Sequence, residues 1–277
     1  MSRSNKNEKP EKKKSSDNNK KDNSKINSNK LVKNNDNKNL SKKKLIKNID
    51  KNPDNYRAKI DKLVKINTSR FPEGFNTKLL NENPYIVKIR RFLNTEEVDT
   101  LINMAEGKFT RSTIVVNGQT THSNVRTSET AFITENGNRN KYSYPVERVL
   151  NKVCYLTGCN RTQIESLMVV KYGNGEEYYN HHDYFKSEHQ NIIADGGQRI
   201  ATFFCYLSSL NEDEGGETEF PLIELKCKPS KGTAIFWWNV DTNGNLLYKT
   251  LHRGNPVKSK NRIKYGLNIW IREKGWN

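Results

Sequence analysis

From residue 167 onward the chain alternates short apolar runs with Gly- and Asn-containing turns, and this pattern confines it to a layered β-structure. The clearest runs are residues 167–172, 200–207, 233–238 and 263–271. Ahead of them lie two helical patterns and one strand, at 85–89. Asn94-Thr95-Glu96-Glu97 reads as an N-cap with an acidic first turn, followed by Val98, Leu101, Ile102 and Ala105 on one face. Pro145 is a good first-turn residue, and Val146, Val149, Leu150 and Val153 share a side. Helices followed by a run of strands predict an α+β domain. Its core is expected to be a double-stranded β-helix (jelly roll) with supporting N-terminal helices. The last strand has two characters. Ile263, Tyr265, Leu267, Ile269 and Ile271 form an apolar face, while Arg262, Lys264, Gly266, Asn268, Trp270 and Arg272 form a face fit to line a polar cavity.

The first 50 residues cannot belong to that core. They hold 16 Lys and Arg against 6 Asp and Glu, about +10 of the formal +17, and no aromatic residue. Such a segment buries too little apolar surface to offset its ordering entropy, so residues 1–80 are read as a disordered basic tail and linker. A transient helix is expected near 45–66, and a folded domain over 84–275. A basic tail can hold nucleic acid or another anionic surface by counterion release, or serve only as a solubilising extension. No aromatic residues interleave with its lysines, which argues against single-strand binding. No secretory leader and no apolar run of membrane-spanning length is visible, so a cytoplasmic protein of cellular, viral or bacterial origin is expected. Cys154, Cys159, Cys205 and Cys227 form no CxxC pair and no zinc spacing. Reduced thiols are the default, with Cys205 packed in a strand and nothing supporting a Cys154–Cys159 bridge.

The chemistry-bearing segment is Tyr178-Tyr179-Asn180-His181-His182-Asp183. In extended backbone, residues two apart point the same way, so His181 and Asp183 can converge on one ion. A distant histidine completes a two-His, one-carboxylate set with open coordination positions, the donor set of non-haem Fe(II) oxygenases. His252, just before the last strand, is the natural third member. On spacing alone zinc competes with iron, and His182 competes with His181, although adjacent residues of a strand face opposite ways. His122 and His189 lie in polar, loop-like sequence and are expected in solvent.

Further blocks narrow the choice. They are Arg126-Thr127-Ser128, Val170-Lys171-Tyr172-Gly173, Arg199-Ile200-Ala201-Thr202, Tyr206-Leu207 and Gly215-Gly216-Glu217-Thr218-Glu219-Phe220-Pro221. Lys231-Gly232-Thr233-Ala234, Phe236-Trp237, Leu251-His252-Arg253-Gly254-Asn255-Pro256-Val257 and Trp270-Ile271-Arg272 follow. Together, over 84–273, they resemble the prolyl 4-hydroxylase family of 2-oxoglutarate-dependent dioxygenases. The resemblance implies Fe(II) on His181, Asp183 and His252, with 2-oxoglutarate as cosubstrate and ascorbate as reductant. It further implies O2 and a proline-containing polypeptide, collagen-like or proline-rich, as the other reactants. The product is 4-hydroxyproline, with succinate and CO2 released. Tyr172 and Thr218 resemble positions that hold 2-oxoglutarate. Its far carboxylate needs a cation on the last strand, and two residues compete. Counting from His252 favours Arg262, and counting back from Trp270 favours Lys264, the preferred reading if the loop at 258–262 carries two extra residues. Tyr178, Arg199, Trp270 and Arg272 resemble positions lining the peptide groove, and 111–140 is expected to form a mobile covering loop. By family analogy alone, the secretory pathway is a second compartment. Two rivals stand beside this reading: the same iron chemistry on a lysyl residue, a single regulatory proline or a nucleobase, and a catalytically silent binding module.

Overall fold

The computed structural model describes residues 76–116, 119–133, 144–186 and 189–275. The basic tail through residue 75, and the helix expected at 45–66, lie outside the described residues. In chain order the first strands are β1 (Asn76–Asn81) and β2 (Ile86–Arg90), then helix α1 (Thr95–Ala105). Short strands β3 (Thr110–Arg111), β4 (Thr113–Val116), β5 (Gln119–His122) and β6 (Glu129–Phe132) precede helix α2 (Tyr144–Thr157). Strands β7 (Met168–Tyr172) and β8 (Tyr178–His181) lead to the short helix α3 (Gln190–Ala194) and β9 (Arg199–Tyr206). The chain closes with β10 (Thr218–Phe220), β11 (Leu225–Cys227), β12 (Ala234–Trp238), β13 (His252–Gly254) and β14 (Lys264–Arg272).

Eight strands form one antiparallel sheet in the order β1-β2-β12-β9-β14-β7-β6-β3, and four form a second, β11-β10-β13-β8. Strands β4 and β5 make a separate hairpin. This is the expected double-stranded β-helix. The period-two pattern of β14 places its two faces against different partners. Leu267, Ile269 and Ile271 join the cluster containing Val98, Leu101, Val149 and Val153 of the helices. Trp270 joins the cluster that also contains Phe220 and Cys227 of the smaller sheet. The major sheet is therefore covered by helices on one side and by the minor sheet on the other. The predicted capping box is present: Asn94 Oδ1 accepts from the Glu97 amide at 2.8 Å, and Glu97 Oε2 accepts from the Asn94 amide at 2.9 Å. Glu97 is buried, and Lys152 of α2 pairs with it at 2.7 Å, fastening the two helices together.

Three boundaries differ from expectation. Ordered structure begins before residue 84, because β1 pairs with β2 from Asn76↔Arg90 onward. The sequence NTKLLN lacks alternation, so a partner rather than its own pattern makes it a strand. The segment expected as a covering loop contains β3, β4, β5 and β6, with residues 117–118 and 134–143 outside the described residues. Ile263 lies outside β14 and is exposed. Cys205 is fully buried in β9, as expected. Among the described residues, no helix is long and apolar enough to cross a membrane.

Candidate metal centre and its cavity

His181 ends β8, His252 begins β13, and the two are register partners across the minor sheet. Asp183 follows two residues after His181 and is buried. The nearest nitrogen–oxygen pairs are His181 Nε2 to Asp183 Oδ1, 3.9 Å, and His252 Nε2 to Asp183 Oδ2, 3.8 Å. One donor atom from each of the three lies within 4.8 Å of the others, and no other group of this kind occurs among the described residues. The tautomers are determined locally. His181 Nδ1 donates to the Tyr179 carbonyl at 2.7 Å and His252 Nδ1 to the Thr250 carbonyl at 2.9 Å, since a carbonyl can only accept. Both Nε2 lone pairs therefore face the centre, the arrangement in which a backbone acceptor orients a metal-binding imidazole. Burial, with His252 close by, pushes the His181 pKa well below its ordinary value and keeps that nitrogen unprotonated.

Asp183 is held from the major sheet. Thr202 Oγ1 on β9 donates to Asp183 Oδ2 at 2.8 Å, Asn239 Nδ2 donates to Thr202 Oγ1 at 3.0 Å, and Trp237 Nε1 donates to Asn239 Oδ1 at 2.9 Å. The chain of donors fixes the carboxylate, with Oδ1 turned toward His181 and Oδ2 toward His252. His182 points away: its Nε2 donates to the Tyr248 carbonyl at 2.8 Å, and it stacks on Tyr184. It is therefore excluded from the ligand set. His122 is exposed as expected, but His189 is buried, edge-on to Phe185.

Beside the triad, Lys264, Tyr172, Thr218, Tyr178 and Trp270 line the same cavity. Of the two competing positions on or before β14, Lys264 is the buried one that lines the cavity. It is 1% exposed and register-paired with Tyr172, with Nζ 4.7 Å from that ring's centre. No carboxylate pairs with it among the described residues, and burial pushes its pKa down to about 7. Arg262 stands apart, exposed and 3.7 Å from Glu214. A buried, unpaired cation opening on a cavity fits an anionic ligand. So does Gly254 opposite, where a Cβ would stand 3.5 Å from Lys264 Nζ and 3.8 Å from Tyr172 Oη, narrowing the space between them. Thr218 Oγ1 contacts Tyr206 Oη at 2.8 Å. The donor set and the lysine pocket thus both suit the metal and dicarboxylate that the resemblance implies.

The groove residues divide. Tyr178 stacks on His181 with ring centres 3.5 Å apart, and Trp270 is buried, with no hydrogen-bond partner for Nε1 among the described residues. Arg272 is not among the residues lining this cavity. Its guanidinium is buried and donates to the carbonyls of Ile192, Asp195 and Gly197 and to Glu165, so it ties the end of β14 to the turn before β9. Arg199 sits one layer back, bidentate to Glu165 at 2.7 Å and 3.7 Å above the Trp270 ring. A residue assigned no role from sequence does reach the cavity. Arg126 is buried and lies 4.7 Å from the centre of the Tyr178 ring. Its block Arg126-Thr127-Ser128 marks the position, yet nothing in a cation's spacing reveals that it is buried.

Comparison with known proteins agrees with this geometry. A family model described as the 2OG-Fe(II) oxygenase superfamily matches residues 167–272. The prolyl 4-hydroxylase subunit alpha-1 of Gallus gallus is 31% identical over 199 residues, 70% of this chain, and the chain spans only 37% of that relative's length. The probable prolyl 4-hydroxylase 7 of Arabidopsis thaliana is 30% identical over 237 residues, covering 77% of this chain and 72% of the relative. Among solved structures, a viral collagen prolyl hydroxylase from Paramecium Bursaria Chlorella virus-1, in complex with 2OG, is 31% identical with a TM-score of 0.53. That match covers 70% of this chain and 98% of the viral one. With the triad, the jelly roll and relatives matched over most of their length, the chain belongs to the prolyl 4-hydroxylase family of 2-oxoglutarate- and Fe(II)-dependent oxygenases.

Proposed function

We propose that this protein is an Fe(II)- and 2-oxoglutarate-dependent dioxygenase that hydroxylates peptidyl proline to 4-hydroxyproline, releasing succinate and CO2. The observation that carries the reading is Lys264, a buried cation with no carboxylate partner among the described residues, which opens on the same cavity as His181, Asp183 and His252. Iron, when bound, supplies the oxygen-activating chemistry, and ascorbate is the reductant expected to restore it. The chain's own residues do the rest by placement. His181 and His252 present their Nε2 atoms, and Asp183, steadied by Thr202, presents the carboxylate. Lys264 receives the far carboxylate of 2-oxoglutarate through a charge-assisted contact, with Tyr172 and Thr218 flanking it. On the other side Arg126, Tyr178 and Trp270 form the wall that a peptide touches. Arg199 stacks over the Trp270 ring and keeps it in place.

A collagen-like or proline-rich substrate is supported by the likeness to the viral collagen prolyl hydroxylase, nearly all of which this chain covers. The lysine-rich first 50 residues suit an anionic partner held by counterion release rather than by base recognition. The deciding experiment incubates the full chain with Fe(II), 2-oxoglutarate, ascorbate and a Pro-Pro-Gly repeat peptide. Succinate is quantified and the peptide is sequenced by mass spectrometry. One added oxygen per modified proline, in step with succinate, is expected. Succinate with unmodified peptide overturns the substrate, and no succinate above a His252→Ala control overturns the dioxygenase reading itself.

A further inference from the structure

The cap at the end of α2 brings two thiols together. Gly158 follows the helix with φ +75°, and its amide donates to the Cys154 carbonyl at 2.8 Å, a left-handed helix stop that only glycine adopts readily. The chain then folds back, and Cys159 Sγ lies 3.9 Å from Cys154 Sγ. The Cys159 amide is also held by Thr157 Oγ1 at 3.3 Å. Both thiols are partly exposed, whereas Cys205 and Cys227 are buried in strands. From this geometry we propose that Cys154 and Cys159 form a redox-modification site, converted by hydroperoxides to an intramolecular disulfide and restored by dithiols.

The two sulfurs have different parts. The hydrogen bond from Cys159 is the main influence drawing the Cys154 pKa down to about 7, with the positive charge of Arg161 acting in the same direction. The Cys159 thiol, donating that hydrogen bond, is pushed up, and partial burial acts in the same direction. Cys154 is thus the attacking thiolate and Cys159 the resolving thiol. The Cys154 thiolate attacks the peroxide O–O bond, giving a sulfenic acid and hydroxide. Cys159 sulfur then displaces the sulfenic oxygen, which leaves as water, while the hydroxide takes up the proton given by Cys154. Two thiols and one hydrogen peroxide yield one disulfide and two waters, and the two electrons lost by sulfur reduce the peroxide. The sulfurs must close from 3.9 Å to about 2.05 Å for the bond to form. The next residues, Arg161–Gln163, hold the end of β14 through Gln163, so the site adjoins the fold's framework rather than the metal cavity.

The test uses the full-length protein, reduced and then exposed to stoichiometric hydrogen peroxide, followed by thiol alkylation under denaturing conditions and peptide mapping. The expected result is the loss of two alkylatable thiols per chain, both in one Cys154–Cys159 peptide lighter by two hydrogens, and their full return with dithiothreitol. Cys159→Ser should instead trap a dimedone-reactive sulfenic acid on Cys154, and Cys154→Ser should give neither product. The proposal is overturned if the wild-type chain loses no thiols, cross-links between chains, or oxidises Cys205 or Cys227 in preference.

Discussion

Lys264 makes the sharpest prediction at the scale of single residues. Lys264→Ala should raise the KM for 2-oxoglutarate roughly 10- to 100-fold, the worth of a charge-assisted hydrogen bond, while Arg262→Ala leaves it unchanged. Succinate formation at varied cosubstrate concentration checks both. The pH dependence follows from the same residue. Its pKa is depressed from 10.5 to about 7, so between those values the unfolded chain keeps a proton that the ligand-free fold has released. The stability of the ligand-free protein should therefore rise with pH across that window. An anion beside Lys264 restores the proton, so 2-oxoglutarate affinity should fall as pH rises above about 7. Proton uptake on binding, read by calorimetry in buffers of different ionisation enthalpy, checks this sign. Thr202 makes a second prediction. Thr202→Val removes the donor to Asp183 Oδ2, and loss of such an orienting partner typically costs about 10- to 100-fold in metal affinity. Titration with Co(II), followed by its visible bands, measures that loss without turnover. Lys264 is readable from sequence only as one of two residues on the same strand face, because parity cannot separate positions two apart. Thr202 and Asn239 are unreadable as a pair, since their contact joins β9 to the residue just past the end of β12.

At the scale of elements, legibility follows length and packing. Strands β2, β7, β9, β12 and β14 stand out in the sequence because each has five or more residues and apolar character on at least one face. Strands β10, β11 and β13 have three residues each, too few for any period to register, although β13 carries a metal ligand. Helix α1 is legible to the residue, because its start is a chemical signal rather than a periodic one. Asn94→Ala should cost about 1 kcal/mol of unfolding free energy, visible in urea titrations. Gly266 marks the opposite case, a residue whose meaning depends on another strand. A Cβ there would lie 2.9 Å from Phe204 Cε2 and closer still to Cζ, so Gly266→Ala should destabilise by roughly 1–3 kcal/mol and displace a ring that lines the cavity. Arg272 is a related case: it sits at a register shift at the end of β14, and its guanidinium meets the carbonyls of Ile192 and Asp195 at α3's end, a contact that depends on residues distant in sequence.

For the molecule as a whole, the triad joins the two sheets. His181 and His252 belong to the minor sheet, while Asp183 is fastened to Thr202 of the major one. A divalent ion at the triad should therefore raise the unfolding temperature, and the gain should grow with the logarithm of ion concentration once the site is saturated. Differential scanning of wild type against His181→Ala, which should show no such gain, tests it. The first 50 residues carry about +10 of the formal charge, so their effect on binding an anionic partner should appear as salt dependence. The placement of the tryptophans has a consequence for how the protein can be observed. Trp237 meets the His252 ring at 4.8 Å and Trp270 lines the cavity, while Trp238 packs in the helix-side core. A paramagnetic ion held by His252 lies within quenching range of the first two rings. The protein thus carries its own optical gauge of metal occupancy, and its ultraviolet emission will dim as the site fills.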